Sequence, residues 1–385
     1  MNIKMKKVFY LSLLIVAVLV TSCKKESAAI KFESLKRVEF TDQGGTRIIS
    51  EKKTGNTAYD EEEEKTRYEY LITVQHPYTI APMSIVNETM SDIIYPGSIV
   101  RGDEFMNGKY APVRMKNEFE PVELSVTLNG KDIKVSQSVL PVLSKVRQAR
   151  NDLIAGQMNK IKGEFIPAVY SYDSHEITTE ASFKRTLKIH ANIQVIGGIA
   201  KADFDYNSSN SSSSKKKYVM IAFRQYLYNM AIDPKHYSQW IKGDIDTQDM
   251  GDYEPLYISS VDYGRTGYIL VQTNESIEEA TKTIKAALEV AIKWGKGGVN
   301  VEYDSKFKSL FKENRIKIKI VGGPAELAVG VNSPESFTKF IQLPKAEELI
   351  ASSAPIAYKV RRLRDNTEVD VIDVYTESKI DFKDE

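Results

Sequence analysis

The chain has 385 residues, with 53 basic and 52 acidic side chains and a formal net charge of +1. At about 100–200 residues per domain this is two or three domains, and the charge balance argues against an electrostatic nucleic-acid binder, which carries a basic surplus. One cysteine rules out a disulfide framework, and ordinary Gly and Pro contents exclude a collagen-like or mostly disordered chain.

Lys4, Lys6 and Lys7 open a basic region that leads into the apolar run Val8 to Val20. The run is shorter than the about 20 residues of a membrane-spanning helix and suits the core of an export signal. Val20-Thr21-Ser22-Cys23 follows, and these small residues ending on the sole cysteine resemble a bacterial lipobox. The alternative is an ordinary signal peptide with an incidental cysteine. The lipobox reading makes residues 1–22 a lipoprotein signal peptide and Cys23 the lipidation site. It also makes residues 23–35 a polar tether. The protein is then exported and lipid-anchored to a bacterial membrane, at the outer membrane or cell surface, with release as a further fate.

Residues 36–140 alternate short β-type runs with turn signals, such as Tyr68 to Val74 and Val122 to Val126. Asn129-Gly130 after the latter is a hairpin signal. Asp60 to Lys65 is a charge run that reads as a solvated loop. Val142, Val146, Ala149 and Leu153 recur at helical spacing, with Gly156 just beyond. Asn207 to Lys217 is a low-complexity Ser/Asn/Lys stretch. The body is α+β with strands dominating. There is no phosphate-cradling glycine loop, no Gly-x-Ser-x-Gly elbow and no His-Glu-x-x-His. His76, His175, His190 and His236 lack metal-ligand spacing and read as structural or surface residues. No enzymatic role, cofactor or metal is expected.

Two stretches alternate with sustained period two. In the first, Leu187, Ile189, Ala191, Ile193 and Val195 are separated by polar residues. After Gly197-Gly198, Ala200, Ala202, Phe204 and Tyr206 continue the pattern. In the second, Leu288, Val290, Ile292 and Trp294 alternate with Glu289, Ala291 and Lys293. Beyond the turn Gly295 to Gly298 come Val299, Val301, Tyr303 and Phe307. Each arm is about nine residues, close to the about 9–11 of a transmembrane strand, with one face fit for lipid and the other for water. The second stretch also satisfies a helix: Ile284, Ala287, Leu288, Ala291 and Ile292 fall on one helical face. Helices in a soluble form could thus become strands in a membrane form. The plainer alternative is a pair of ordinary hairpins on a half-exposed sheet.

Several blocks in order along the chain resemble the cholesterol-dependent (thiol-activated) cytolysins of the perforin-like superfamily. They are Tyr95-Pro96-Gly97 with Asp103-Glu104, Val146 to Ala155, and Tyr218-Val219-Met220 with Arg224-Gln225 and Tyr228. Ile258-Ser259-Ser260-Val261 into Tyr263-Gly264-Arg265, Val321-Gly322-Gly323, and Pro355-Ile356-Ala357-Tyr358 with Leu363 and Asp365-Asn366 complete them. The resemblance implies an elongated multi-domain α+β body, with a twisted antiparallel sheet flanked by helical clusters that convert to β-hairpins. It places a scaffold domain at 36–49, 91–175, 233–260 and 350–368. An extended β domain takes 50–90 and 369–385, and a pore-forming domain takes 176–232 and 261–349. Hairpin segments fall at 185–213 and 284–312. It implies a hinge at Gly322 and Gly323 and an oligomer edge near the strand start Tyr263-Gly264-Arg265, with Arg265 equally a structural donor. Implied partners are membrane lipid, a homo-oligomeric ring and a second cytolysin-like chain. Two departures stand out. Trp240 and Trp294 do not form the family's C-terminal Trp-rich loop, and the chain stops about where that cholesterol-reading domain is expected. Ile316 occupies the position of an aromatic residue, so no aromatic stack between subunits is expected. The rival function is a non-perforating surface lipoprotein for adhesion or partner binding.

Overall fold

The computed structural model describes residues 32–41, 44–85, 88–115, 117–128, 132–160, 169–177, 180–190, 195–196, 199–200, 217–243, 245, 247–294, 305–313, 315–323, 331–341 and 346–384. The first described residues form a strap rather than a tether. Phe32 is fully buried with its ring 4.6 Å from that of Tyr237, and Lys36 bridges to Tyr253. Arg362 donates twice to the carbonyl of Val38, whose N–H reaches Glu254 Oε1 at 3.1 Å. The expected tether therefore loses residues 32–35 to the body. One buried phenylalanine outweighs the polarity of its neighbours, because burying such a side chain is worth about 1.5–3 kcal/mol.

β1 (Arg47–Asp60) and β2 (Lys65–Ile80) pair along their length. They are far longer than the short runs expected here. The charge run is their turn, where Asp60 Oδ1 accepts from the N–H groups of Glu62 and Glu63. Next come β3 (Met83–Ser84), β4 (Ile99–Val100), α1 (Gly102–Met106), β5 (Val122–Val126) and β6 (Ser136–Val139). α2 (Leu143–Leu153) buries Val146, Ala149 and Leu153, the face its spacing selects. β7 (Val169–Glu176), α3 (Glu180–Leu187), β8 (Val195–Ile196), β9 (Ile199–Ala200) and β10 (Lys217–Ile232) follow. After them lie β11 (Leu256–Thr273), α4 (Ile277–Trp294), α5 (Ser305–Lys312) and β12 (Ile316–Val321). The chain closes with α6 (Pro334–Ile341), α7 (Ala346–Ala351), β13 (Ala354–Arg362) and β14 (Val371–Lys383).

Among the described residues, β1, β2 and β14 make a three-stranded sheet, with β14 paired to β2 from Val371–Ile80 to Lys383–Tyr68. A nine-stranded sheet runs β3-β13-β11-β10-β5-β6, with β4 and β12 on β11 and β7 on β10. β10 and β11 are shared by its two ends. At one end they pair with β5 and β13 over a core that includes Leu124, Leu153, Trp240 and Tyr257. At the other they pair with β7 and β12 beneath α4, α5 and α6. Between the ends the β10–β11 register slips by one residue, Tyr226 facing Gly264 and Tyr228 facing Tyr263. Such a bulge bends and twists the pair.

Several expected boundaries shift accordingly. Residues 47–49 belong to β1, and β3 to the nine-stranded sheet rather than the extended one. β7 pairs at the end expected to form the pore domain, not with the scaffold. The boundary at 260/261 cuts through continuous β11. Tyr263-Gly264-Arg265 is mid-strand, not a strand start, because β11 passes the bend unbroken.

Candidate functional site

The two alternating stretches sit in equivalent places. The first lies within the connection from β7 to β10, which are antiparallel neighbours. The second lies within the connection from β11 to β12, likewise antiparallel neighbours. In this form the second stretch is helical: Ile284, Ala287, Leu288 and Ala291 on α4 are all buried. They pack in one core with Val219, Ile221, Ile269 and Val271 of the sheet and with Phe307 and Phe337 of α5 and α6. Glu289 is exposed and Val290 half-buried. The period that operates here is 3.6, not two. Ile292 and Trp294 lie on the last turns of α4. Val299, Val301 and Tyr303 lie outside the described residues.

In the first stretch Leu187 ends α3, and it and Ile189 are buried with Phe183, Met220, Tyr268 and Leu270. Val195 pairs with Ala200, and Ile196 with Ile199. Ile193, Phe204 and Tyr206 lie outside the described residues, as do Cys23 and the whole leader. No helix among the described residues is long and apolar enough to cross a membrane; this does not bear on strands.

The expected hinge has the backbone that glycine permits. Gly322 (φ +80°) and Gly323 (φ +91°) directly follow β12. A Cβ on Gly322 would lie 2.5 Å from the carbonyl oxygen of Gly264, and a Cβ on Gly264 would lie 2.0 Å from that of Gln225. Three backbones thus meet at the bend with no room for side chains. Arg265 beside them is buried. It donates to Gln225 Oε1 at 2.5 Å and to the carbonyl of Ile341 at the end of α6 at 3.1 Å. Tyr263 and Gly264 are flanked by β10 on one side and β13 on the other, and Arg265 pairs with Gln225 of β10 between the end of the β13 ladder and the start of the β12 ladder at Thr266, so in this form they are interior rather than an edge. Arg265 acts here as a structural donor.

A clamp at the bulge escaped the sequence reading. The rings of Tyr228 and Tyr263 stack 5.0 Å apart, and the Arg150 guanidinium from α2 lies 4.6 Å over Tyr263. Arg150 also donates to the Tyr228 hydroxyl (3.1 Å) and to the carbonyl of Ser353 (3.0 Å). Burial pushes both phenols above their ordinary range, against the pull of Arg150. The one available signal was a charged residue beside Ala149 on the buried side of α2.

The comparisons with known proteins decide the lineage. The family model of thiol-activated cytolysins matches residues 51–379. The chain belongs to the thiol-activated cytolysin family. It is similar to pneumolysin of Streptococcus pneumoniae, 26% identical over 309 residues that cover 73% of this chain and 59% of that protein. It is also similar to perfringolysin O of Clostridium perfringens, 24% identical over 289 residues that cover 71% and 52%. The chain therefore spans between about half and three fifths of the length of these cytolysins. In fold it resembles intermedilysin, a human-specific toxin, with a TM-score of 0.61 at 18% identity, covering 94% of this chain and 76% of that one. The fold of suilysin from Streptococcus suis gives 0.59 at 20% identity, covering 91% and 74%.

Proposed function

We propose that this chain is a pore-forming cytolysin subunit that assembles side by side on a membrane and refolds the connections from β7 to β10 and from β11 to β12 into transmembrane β-hairpins. One observation carries the reading: each segment joins two strands already paired with one another, so extending both arms lengthens an existing ladder without changing topology. The connections from Glu176 to Lys217 and from Thr273 to Ile316 leave about 20 residues per arm, or roughly 65 Å at about 3.3 Å per residue. The hydrocarbon core is about 30 Å. Pairing between subunits and closure into a barrel would satisfy every backbone group in lipid. Gly322 and Gly323 are the hinge that lets the chain beyond β12 move aside and expose that strand's edge. Attachment falls to acyl chains on Cys23, to a second cytolysin-like chain, or to both.

The test is a cysteine scan from 287 to 294 in a Cys23→Ser background, each variant carrying a polarity-sensitive dye. The protein is tethered through a histidine tag to vesicles bearing nickel-chelating lipid. In solution the apolar signal should mark 287, 288 and 291. On leaking vesicles it should mark 288, 290, 292 and 294, so that positions 290 and 291 exchange environments. A 3.6-residue period that persists on leaking vesicles would overturn the hairpin mechanism. No leakage together with that period would favour the non-perforating lipoprotein.

A further inference from the structure

The end of the first segment is fastened to the body from several directions. The N–H of Ser84 on β3 donates to the carbonyl of Lys188 at 2.8 Å. Arg224 on β10 donates to Ser84 Oγ at 2.6 Å and to the carbonyl of Leu187 at 3.4 Å. Asp173 on β7 pairs with Lys188 at 3.1 Å and with Arg224 at 3.6 Å. The Arg185 guanidinium lies 4.1 Å over the ring of Tyr375 on β14. Lys188 turns left-handed (φ 53°) to end α3, and this turn delivers His190 to an aromatic pocket. The imidazole lies 4.7 Å from the ring of Phe105 on α1 and 5.2 Å, edge to face, from Phe40 of the strap.

The chemistry of that pocket selects one protonation state. Nε2 of His190 contacts the Phe105 carbonyl, which only accepts, so Nε2 carries the hydrogen and a second proton must enter at Nδ1. Charging the ring there puts an imidazolium among phenylalanines. We propose that His190 is the pin of a pH-sensitive latch: neutral, it holds the first segment on the scaffold, and protonated, it leaves the pocket and frees that segment.

The groups facing the ring act in both directions. Burial pulls His190 below its ordinary value of 6.5, and Lys184 on α3 adds to this. The Phe105 carbonyl and Asp373 on β14 oppose it. Phe40 on the strap contributes no charge. The net depression means that the docked ring binds fewer protons than the released one. Docking is therefore strongest above about pH 6.5 and weakens as pH falls through that value. His175 on β7 also lies below its ordinary value, through burial and then Arg185, and is the second histidine whose titration the variants separate from that of His190.

The proposal rests on the reading of residues 177–216 as a segment that must leave, yet its test needs no membrane. Hydrogen exchange of peptides covering 180–190 is followed on the soluble chain at pH 7.5, 6.5 and 5.5. Times are corrected for intrinsic exchange, and α4 peptides are the reference. Opening of 180–190 should increase between pH 6.5 and 5.5, by less than the tenfold per unit that a one-proton linkage allows. His190→Gln should flatten that dependence, His175→Gln should keep it, and His190→Lys should open the segment already at pH 7.5. A flat wild-type profile, or a slope that survives in His190→Gln, overturns the latch. Failure of vesicle leakage with the slope intact would count against the pore and not against the latch.

Discussion

Asp365 shows how one carboxylate fastens the strap. Burial works to raise it. The hydroxyl and N–H of Thr367 and the Arg37 guanidinium at 2.7 Å more than offset this and hold it at about 2, against an ordinary 3.8. Because the folded value is depressed, its stabilisation is complete above about pH 4 and is lost as pH falls from 3.8 towards 2. A third of the side chain is exposed, so solvent screening reduces the gain to about 1 kcal/mol. Asp365→Asn should lower the urea midpoint at pH 7, and the gap to wild type should shrink at pH 3. A gap unchanged at pH 3 would place the stabilisation elsewhere. Glu254 is the contrasting case. Fully buried between Arg362 and Arg364, its carboxyl is raised by burial despite them. Proximity to arginine alone therefore does not decide the sign of a shift.

At the scale of elements, α4 is where one sequence carries two periods and tertiary packing chooses. Ile284, Ala287, Leu288 and Ala291 meet a single core against β10 and β11, and a strand would present only part of that set. Leu288→Ala should therefore cost about 2–5 kcal/mol, read as an earlier urea midpoint for loss of helical signal. A cost below about 1 kcal/mol would mean that the helix is not packed as described. The helical period of α4 and the buried face of α2 were legible because each spans whole turns of one amphipathic helix. α3 was not, since its buried Phe183 and Leu187 are a single i, i+4 pair, and the alternation that begins at Leu187 masks the helix before it. What holds α3 was even less legible. Ser84, Phe105 and Tyr375 are distant in sequence, and no local pattern announces that they meet. The glycines at the bend were visible as Gly-Gly and Tyr-Gly-Arg. That Gly264 lies mid-strand under Gln225 follows only from the one-residue slip at the bulge.

For the whole molecule, the continuity of two strands ties the parts together. β10 and β11 run unbroken from the scaffold core into the sheet that carries both segments, and the strap is bonded to the same scaffold from Phe32 to Phe40. The strap leads to the pocket where Phe40 meets His190. The anchor proposed at Cys23 is a separate question of localisation. Each buried CH₂ of an acyl chain contributes about 0.8 kcal/mol, and stable attachment takes at least two chains. Removing the acceptor thiol should therefore abolish attachment rather than weaken it. Since Cys23 is the sole cysteine, Cys23→Ser should eliminate fatty-acid labelling and move the protein from the membrane to the soluble fraction on cell fractionation. The folded body should keep its wild-type urea midpoint, because the described contacts of the strap, from Phe32 onward, lie downstream of Cys23. Labelling that persists in Cys23→Ser would sink the lipoprotein assignment. Loss of label with full retention on membranes would shift attachment to a protein surface or a partner chain.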